Sequence, residues 1–503
     1  MKYHIRGLHL MTISMDSVTT VASHPSSTPL PPLVIDVDGT LVRSDLLWEG
    51  LLNIAGRHPL QIFRVMRSAV RGRGALKELV ASFGAPAVES LPLEPEVLRL
   101  IEQARSDGRT VWLISGADEG QVKALVDRVK ATDGCGSSSR INLTGVRKLS
   151  VIRGMCGEFD YVGNGLADLP LWTAAKHAYA INAAPLTRWL ARRRRPDLVI
   201  LACKPRVWTD WLRALRPHQW TKNLLLLLPA FAAHLPMTSG RVVSALLALL
   251  SWSLAASGTY VLNDLLDLGS DRSHLTKRRR PFAAGDIGIV PGIVGFALLW
   301  TAAIATAATL SAGFTHVLWL YLVLSIAYSV GLKQHPIVDV LVLAVLYTLR
   351  VVAGAVLFQV PLSRWFLAFS VFLFFSLAVL KRVIELRLGS AQGSERAITH
   401  AGLIPGRGYR IEDLPVLVGL GAAAGIASSL VYCLYITSTD VTKLYLRPDL
   451  LWLGLPILLF VQARIWLLAG RGEMHQDPVV FVLTDRPSIV VAALLLLIVA
   501  LAA

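Results

Sequence analysis

The segment NDLLDLGSDRSHLTKRRRP, Asn263 to Pro281, concentrates more usable chemistry than any other stretch of the chain. Asp264, Asp267 and Asp271 are spaced by three and then four residues, so on a helix their carboxylates share one face. Like charges stacked in this way repel each other, and the arrangement makes sense where they hold a divalent cation. Mg2+ takes a few carboxylates and completes its shell with water and phosphate oxygens. The cations that follow, Arg272, Lys277, Arg278, Arg279 and Arg280, suit the remaining phosphate charge. With Asn263 beside them, these residues predict a Mg2+-dependent site for a phosphorylated or diphosphate substrate at the mouth of a membrane bundle.

Other polar groups fall where they can converge on the three aspartates. Tyr328 and Lys333 close one apolar run, and Lys381, Arg382 and Glu385 close another. Asp339 and Arg350 lie inside a third. Ionisable side chains within an apolar span are costly and are functional candidates by default. The bland alternative is that Asp339 and Arg350 make a structural polar contact between helices.

A second constellation lies near the N-terminus. LVIDVDGTL reads as a short buried strand running into a turn at Gly39 and Thr40. Asp36 and Asp38, one residue apart at a strand end, can both face one Mg2+. TVWLISGA reads as a second strand and ends near Ser115. YVGNGLADLP follows a third. About 65 residues of helical pattern, Ser44 to Arg109, separate the first two strands. Strands alternating with helices argue for a parallel α/β sheet.

The elements that position these groups differ in physics. Residues 1–32 are rich in Ser, Thr and Pro and read as a disordered tail, with Met11 and Met15 as alternative starts. Residues 33–180 read as the α/β domain, and 181–211 as a basic linker and interfacial segment. Residues 212–503 read as an all-α transmembrane domain, with nine apolar runs from residue 223 onward; the first is short for a crossing. Hydrophobic residues make up 54% of the 503. The net charge of +16 sits beside apolar spans, which points to membrane orientation and away from nucleic acid. One set of loops holds fourteen Lys and Arg and the opposite set four. The first set, and with it the N-terminal domain, is therefore expected on the cytoplasmic side of a bacterial-type inner membrane. The four cysteines show no metal or disulfide spacing.

N-D-x-x-D-x-x-x-D followed by H-x-T-K-R-x-R-P and A-A-G resembles the first aspartate-rich motif of the UbiA superfamily. The resemblance covers about residues 212–503. It implies a nine-helix membrane transferase that acts on polyprenyl chains with Mg2+ held by Asp264, Asp267 and Asp271. Aromatic prenyltransferases of that superfamily carry a second aspartate-rich motif, where this chain has KRVIELR with Glu385 as its one acid. RPHQWTKN, YSVGLK and KR-x-x-E resemble the decaprenyl-phosphate phosphoribosyltransferase branch instead. That branch moves phosphoribose from phosphoribosyl diphosphate to a polyprenyl phosphate. Prenyl transfer from a polyprenyl diphosphate to an aromatic acceptor of the 4-hydroxybenzoate type is the alternative. The implied substrate contacts are Asn263, Lys277, Arg278, Arg280, Tyr328, Lys333, Arg350, Lys381, Arg382 and Glu385.

DVDGTL resembles motif I of the haloacid dehalogenase superfamily, a Rossmann-like fold with a helical cap. The resemblance makes Asp36 the nucleophile, Asp38 the general acid–base, Ser115 the phosphate-binding hydroxyl and Lys148 the lysine of motif III. Asp168 matches an acid of motif IV and, with Asp36 and Asp38, would hold Mg2+. Asn164 replaces the first acid of that motif, which weakens metal binding. The chain thus reads as a membrane transferase fused to a phosphatase-like domain. A transporter with an inactive phosphatase-like domain is a further class. It predicts paired broken helices in two matching halves, and no such pair is evident.

Overall fold

The computed structural model describes residues 30–138, 142–201, 208–274, 276–391, 408–474 and 477–503. The expected tail, apart from residues 30–32, lies outside the described residues, as do the loop cations Arg396 and Arg407.

Six parallel strands form the N-terminal sheet in the order β3-β2-β1-β4-β5-β6. They are β1 (Leu33–Ile35), β2 (Val111–Asp118), β3 (Asp133–Ser137), β4 (Asp160–Gly163), β5 (Ala178–Ala180) and β6 (Val199–Ile200). Alternate side chains of β1 feed opposite faces. Leu33 and Ile35 join one core with Leu113, Val122 and Leu125, and Val34 joins another with Tyr161, Leu171 and Trp172. Burial on both faces explains the unbroken apolar run. Strand order reverses between β1 and β4, so the carboxyl ends of these two strands open a crevice at a topological switch point. Asp36 and Asn164 lie just beyond those ends.

The helical stretch between β1 and β2 resolves into α1 (Leu46–Arg57), α2 (Ile62–Arg71), α3 (Arg73–Gly84) and α4 (Pro95–Ser106). α5 (Glu119–Val129), α6 (Val146–Met155), α7 (Leu169–Ala174) and α8 (Pro185–Arg194) complete the unit. The sheet runs past the expected boundary at residue 180. β6 pairs with β5, and Ala191 and Leu198 are buried against the sheet. Part of the expected linker is therefore sheet and core: Arg192, Arg193 and Arg194 are exposed on α8, while Ala191 and Leu198 point inward. The amphipathic α9 (Trp208–Leu215) leads into the bundle.

Seven helices among the described residues are long and apolar enough to cross a membrane, where nine runs were expected. They correspond to α11 (Ser239–Leu266), α13 (Ile289–Ala308), α14 (Ala312–Val330), α15 (Val338–Phe358), α16 (Arg364–Ala391), α17 (Leu414–Ile436) and α19 (Gly454–Arg471). The run at 223–236 instead forms a 3-10 stretch, Pro217–Leu227, and the five-residue α10 (Leu228–Ala232). This stretch comes so close to α15 that a Cβ on Gly354 would sit 2.0 Å from the Leu226 carbonyl oxygen. The last run, α21 (Arg486–Ala502), is 17 residues long. Short helices α12 (Leu268–Ser273), α18 (Thr439–Thr442) and α20 (Pro478–Thr484) fill the ends.

The two units meet through α1. Leu52 packs with Trp211, Leu265, Leu268 and Phe282. Buried beside this cluster, Arg272 donates to both oxygens of Glu49, at 2.5 and 3.1 Å. Glu49 also accepts from Ser44 Oγ at 2.7 Å, and the Ser44 carbonyl accepts from the Gly39 amide. The loop that carries Asp271 is thus tied to the loop that carries Asp38.

Candidate functional site

The three aspartates do not share one straight helix. Asp264 occupies the last turn of α11, Asp267 the junction, and Asp271 the middle of α12. Bonds from the Asp267 amide to the Asn263 carbonyl and from the Asp271 amide to the Asp267 carbonyl continue across the junction, so the side chains stay on one side. They line a cavity of about 290 Å³. Asn263, Lys277, Arg280, Tyr328, Lys333, Arg350, Lys381 and Glu385 also line it.

Each carboxylate meets a cation, and Asp264 and Asp271 share one. Asp264 Oδ1 accepts from Arg216 at 2.6 Å and from Arg280 at 3.1 Å. Asp267 accepts from Lys333 at 2.6 Å, and Asp271 from Arg280 at 2.8 Å. Burial pushes the Asp271 carboxyl up to about 6; Arg280 pulls it down, and Asp264 and Asp267 push it up further. Among the described residues no three His, Cys, Asp or Glu side chains gather into a ready-made metal cluster. Two buried oxygens nevertheless lack partners, Asp264 Oδ2 and Asn263 Oδ1. Unsatisfied buried acceptors are rare and call for an explanation, and hard oxygen donors of this kind fit Mg2+.

A second charged cluster closes the cavity. Lys222 and Lys381 both reach Asp477 Oδ2, at 2.7 and 3.3 Å. Burial alone would raise Asp477, but Lys381 and Lys222 hold it well below the usual carboxylate range. Lys222 also lines a neighbouring groove of about 550 Å³, walled by Leu225, Leu228, Leu377, Val461, Leu495 and other apolar side chains. Arg350 stands between the rings of Tyr321 and Tyr347, 5.1 and 5.5 Å from their centres, and donates to Asn223 Oδ1 at 3.1 Å.

Two expected contacts are corrected. Arg278 is exposed and does not line the cavity, because the 3-10 turn Lys277–Arg279 points it outward. Arg382 is fully buried and donates to both oxygens of Asp339 at 2.5 and 3.0 Å, to Glu385 at 2.5 Å and to the Tyr328 hydroxyl at 3.0 Å. It braces α15 against α16 and spends four of its five N–H donors on these partners, away from the cavity. Asp339 therefore pairs with Arg382, and the alternative contact with Arg350 is not formed. Sequence reasoning missed Arg216, Lys222, Tyr321, Tyr347 and Asp477. The first two lie in the quoted RPHQWTKN, whose polar residues carried the signal. Nothing local marks Asp477.

In the N-terminal unit the expected residues converge. Lys148 Nζ is 2.7 Å from Asp36 Oδ1 and 2.8 Å from the Tyr161 hydroxyl. Burial raises the Asp36 carboxyl; Lys148 lowers it and Asp168 raises it again. Asp38 accepts the Leu46 amide at 3.0 Å. Burial, with Asp45 and Asp36 adding to it, pushes Asp38 up to about 8. Ser115 is buried within β2, three residues before the strand ends. Gly39 has φ +72, and a Cβ there would sit 2.0 Å from Asn164 Nδ2, so glycine lets Asn164 close on the motif. Asp168 differs from expectation. Tyr161 donates to one of its oxygens, and the Asn164 and Gly165 amides donate to the other. It holds the turn after β4 and presents no free oxygen. Asp36 and Asp38, half-buried and crowded, suit a cation. Lys77 of α3, also missed, reaches over the site to the Gly116 carbonyl oxygen and, at 2.8 Å, to Asn142 Oδ1.

A bundle with aspartates and phosphate-seeking cations at one end is the build of a membrane transferase for phosphorylated lipids. The sequence profile of the UbiA prenyltransferase family matches residues 226–484, and the chain belongs to that family. It is a multi-pass membrane protein and a transferase. Protein y4nM of Sinorhizobium fredii is 36% identical over 471 residues, 92% of this chain and 89% of that protein. The decaprenyl-phosphate phosphoribosyltransferase of Mycobacterium tuberculosis is 36% identical over 190 residues, 36% of this chain and 62% of that protein. Among solved structures, a UbiA homolog from Archaeoglobus fulgidus bound to GPP and Mg2+ aligns over 58% of this chain and 99% of its own, at 15% identity and TM-score 0.45. A HAD family hydrolase from Salmonella enterica aligns over 32% of this chain and 66% of its own, at 16% identity and TM-score 0.25.

Proposed function

We propose that the membrane site transfers phosphoribose from phosphoribosyl diphosphate to a polyprenyl phosphate, and that the N-terminal site then removes the ribose phosphate. The observation that carries this reading is the second anion position. Lys222 lines both the apolar groove and the polar cavity, and Lys381, which shares Asp477 with it, lines the cavity. A lipid lying in that groove would present its phosphate to them, opposite the aspartates. In prenyl transfer the tail in the groove would end in the diphosphate held at the aspartates, and only the acceptor carboxylate would be left for these lysines. The identity with a decaprenyl-phosphate phosphoribosyltransferase supports the same choice.

In this reading Asp264, Asp267, Asp271 and Asn263 would hold Mg2+, which would supply positive charge for the leaving diphosphate. Arg280, Lys277 and Lys333 bind its remaining oxygens. The lipid phosphate oxygen forms a bond to ribose C1 as the bond from C1 to diphosphate breaks, and diphosphate leaves with that electron pair. Tyr321 and Tyr347, whose ring faces favour cations, hold Arg350 between them at the cavity wall, where it adds positive charge for the anionic substrates.

In the N-terminal site Asp36 attacks the phosphorus of the ribose phosphate. Asp38, which holds a proton at neutral pH, gives it to the departing ribose oxygen. Water then cleaves the phosphoaspartate, with Asp38 taking a proton back. Both sites are placed on the cytoplasmic side, as the loop charges indicate.

The test is purified protein in lipid nanodiscs with Mg2+. It is offered labelled phosphoribosyl diphosphate with polyprenyl phosphate, or labelled polyprenyl diphosphate with 4-hydroxybenzoate. A labelled lipid from the first pair is expected. A product from the second pair alone would replace this reading with prenyl transfer.

A further inference from the structure

The helical insert carries a surface that neither site uses. Phe63 and Val70 of α2 are 75% and 89% exposed, and Leu60, in the turn before it, is 82% exposed. Spacings of three and seven put these three on one face. The opposite face is anchored by Val65, which is buried with Ile54 of α1 and Val80 of α3. Arg64 and Arg67 flank the apolar stripe and are exposed. From Gly50 to Lys77 the chain has six Lys and Arg and no acid.

The position of α1 fixes the level at which α2 emerges. Leu52 of α1 packs with Leu265 of α11 and Ile293 of α13. Gly56 approaches Leu266, and the Arg57 guanidinium approaches Gly269. α1 thus ends where α11 leaves the bundle, and α2 begins five residues later. A second amphipathic helix lies at the same level. Trp211 of α9 packs on Gly295 of α13, while Trp208 and Leu212 remain exposed.

An apolar stripe flanked by arginines, held where spans end, is the build of an interfacial helix. We propose that α2 lies in the headgroup layer of the bilayer, with Leu60, Phe63 and Val70 among the acyl chains and Arg64 and Arg67 on anionic headgroups. Continuity with the membrane helices and the run of positive charge single out lipid over a protein partner. α3, with Lys77 over the N-terminal site, follows α2 directly. Membrane contact therefore holds that site close to headgroup level, whatever its substrate.

The test uses the full chain, with its four cysteines replaced by serine, in nanodiscs of phosphatidylglycerol and phosphatidylcholine. A nitroxide is attached at Phe63→Cys, Val70→Cys or the exposed α4 control Glu102→Cys, and only monodisperse protein is measured. Collision with oxygen and with a water-soluble nickel chelate is then compared. Positions 63 and 70 are expected to favour oxygen several-fold over the control, and R64E/R67E is expected to move them towards the control. A water-like signal at 63 and 70 would overturn the proposal. So would protection from both reagents, which marks a second copy or another protein on this face. Persistence of the lipid signal in R64E/R67E would overturn the headgroup contact.

Discussion

The two aspartate sites solve the same problem of buried negative charge in opposite ways. In the membrane unit every carboxylate meets a cation: Arg216 and Arg280 for Asp264, Lys333 for Asp267, and the shared Arg280 for Asp271. In the N-terminal unit Lys148 serves Asp36 alone, and Asp38 is left to hold a proton. A site inside a bundle cannot carry three bare charges, so its cations come built in and are then at hand for phosphate. The crevice at a sheet switch point tolerates a raised carboxyl, and a raised carboxyl is what proton transfer needs. On the proposed reading, one site is organised to stabilise departing charge, the other to move protons.

The sharpest break between them is Asp36→Asn. Hydrolysis of a ribose phosphate should fall about 10⁴-fold or more, as for loss of a nucleophile, while transfer to lipid continues. Separate product assays check both. Asp264→Ala is the mirror experiment. Transfer should drop about 10²- to 10³-fold, with hydrolysis of a soluble phosphate ester retained. Loss of both activities in either variant would mean that the sites do not act separately. Glu49→Gln addresses their junction. Leaving Arg272 buried against a neutral partner should cost about 3 kcal/mol, seen as a lower melting temperature and a loss in both activities. Lys381→Met should raise KM for polyprenyl phosphate about 10-fold, the worth of one charge-assisted hydrogen bond. An equal rise for phosphoribosyl diphosphate would move Lys381 to the donor position.

The smallest expected effect is a pH dependence. Asp271 is raised to about 6 in the fold, from an ordinary 3.8. The folded state therefore binds this proton more tightly than the unfolded chain does. The stability it lends is present at low pH and is lost as pH rises towards 6. Mg2+ competes with the same proton, so stabilisation by Mg2+ should be weak near pH 5 and grow through pH 6. Thermal unfolding with and without Mg2+ measures this. A flat response would separate Asp271 from the cation.

What was legible in the sequence was what is contiguous. The grouping of Asp264, Asp267 and Asp271 follows from a short motif whose backbone sets the geometry; the exception is the pairing of Asp36 with Lys148, 112 residues apart, which only the resemblance to a known order of motifs anticipates. Asp477 and Lys222 lie 255 residues apart and meet only because α20 packs against the 3-10 stretch. Arg382 looked like a phosphate ligand because a cation near the end of a span is usually free. Its partner Asp339 sits on another helix. The leucines at 224–228 counted as a span because hydropathy carries no record of the close approach at Gly354. β6 was hidden in a basic segment, since a two-residue edge strand has almost no pattern of its own.

The central claim is that one chain adds phosphoribose to a lipid and then removes its phosphate. The direct measurement offers nanodisc-embedded protein polyprenyl phosphate and phosphoribosyl diphosphate, labelled with carbon-14 in the ribose and phosphorus-32 at its 5-phosphate. Intact protein should give a lipid carrying carbon-14 without phosphorus-32, and Asp36→Asn a lipid carrying both. No labelled lipid, or equal retention of phosphorus-32 by the two proteins, would contradict the account.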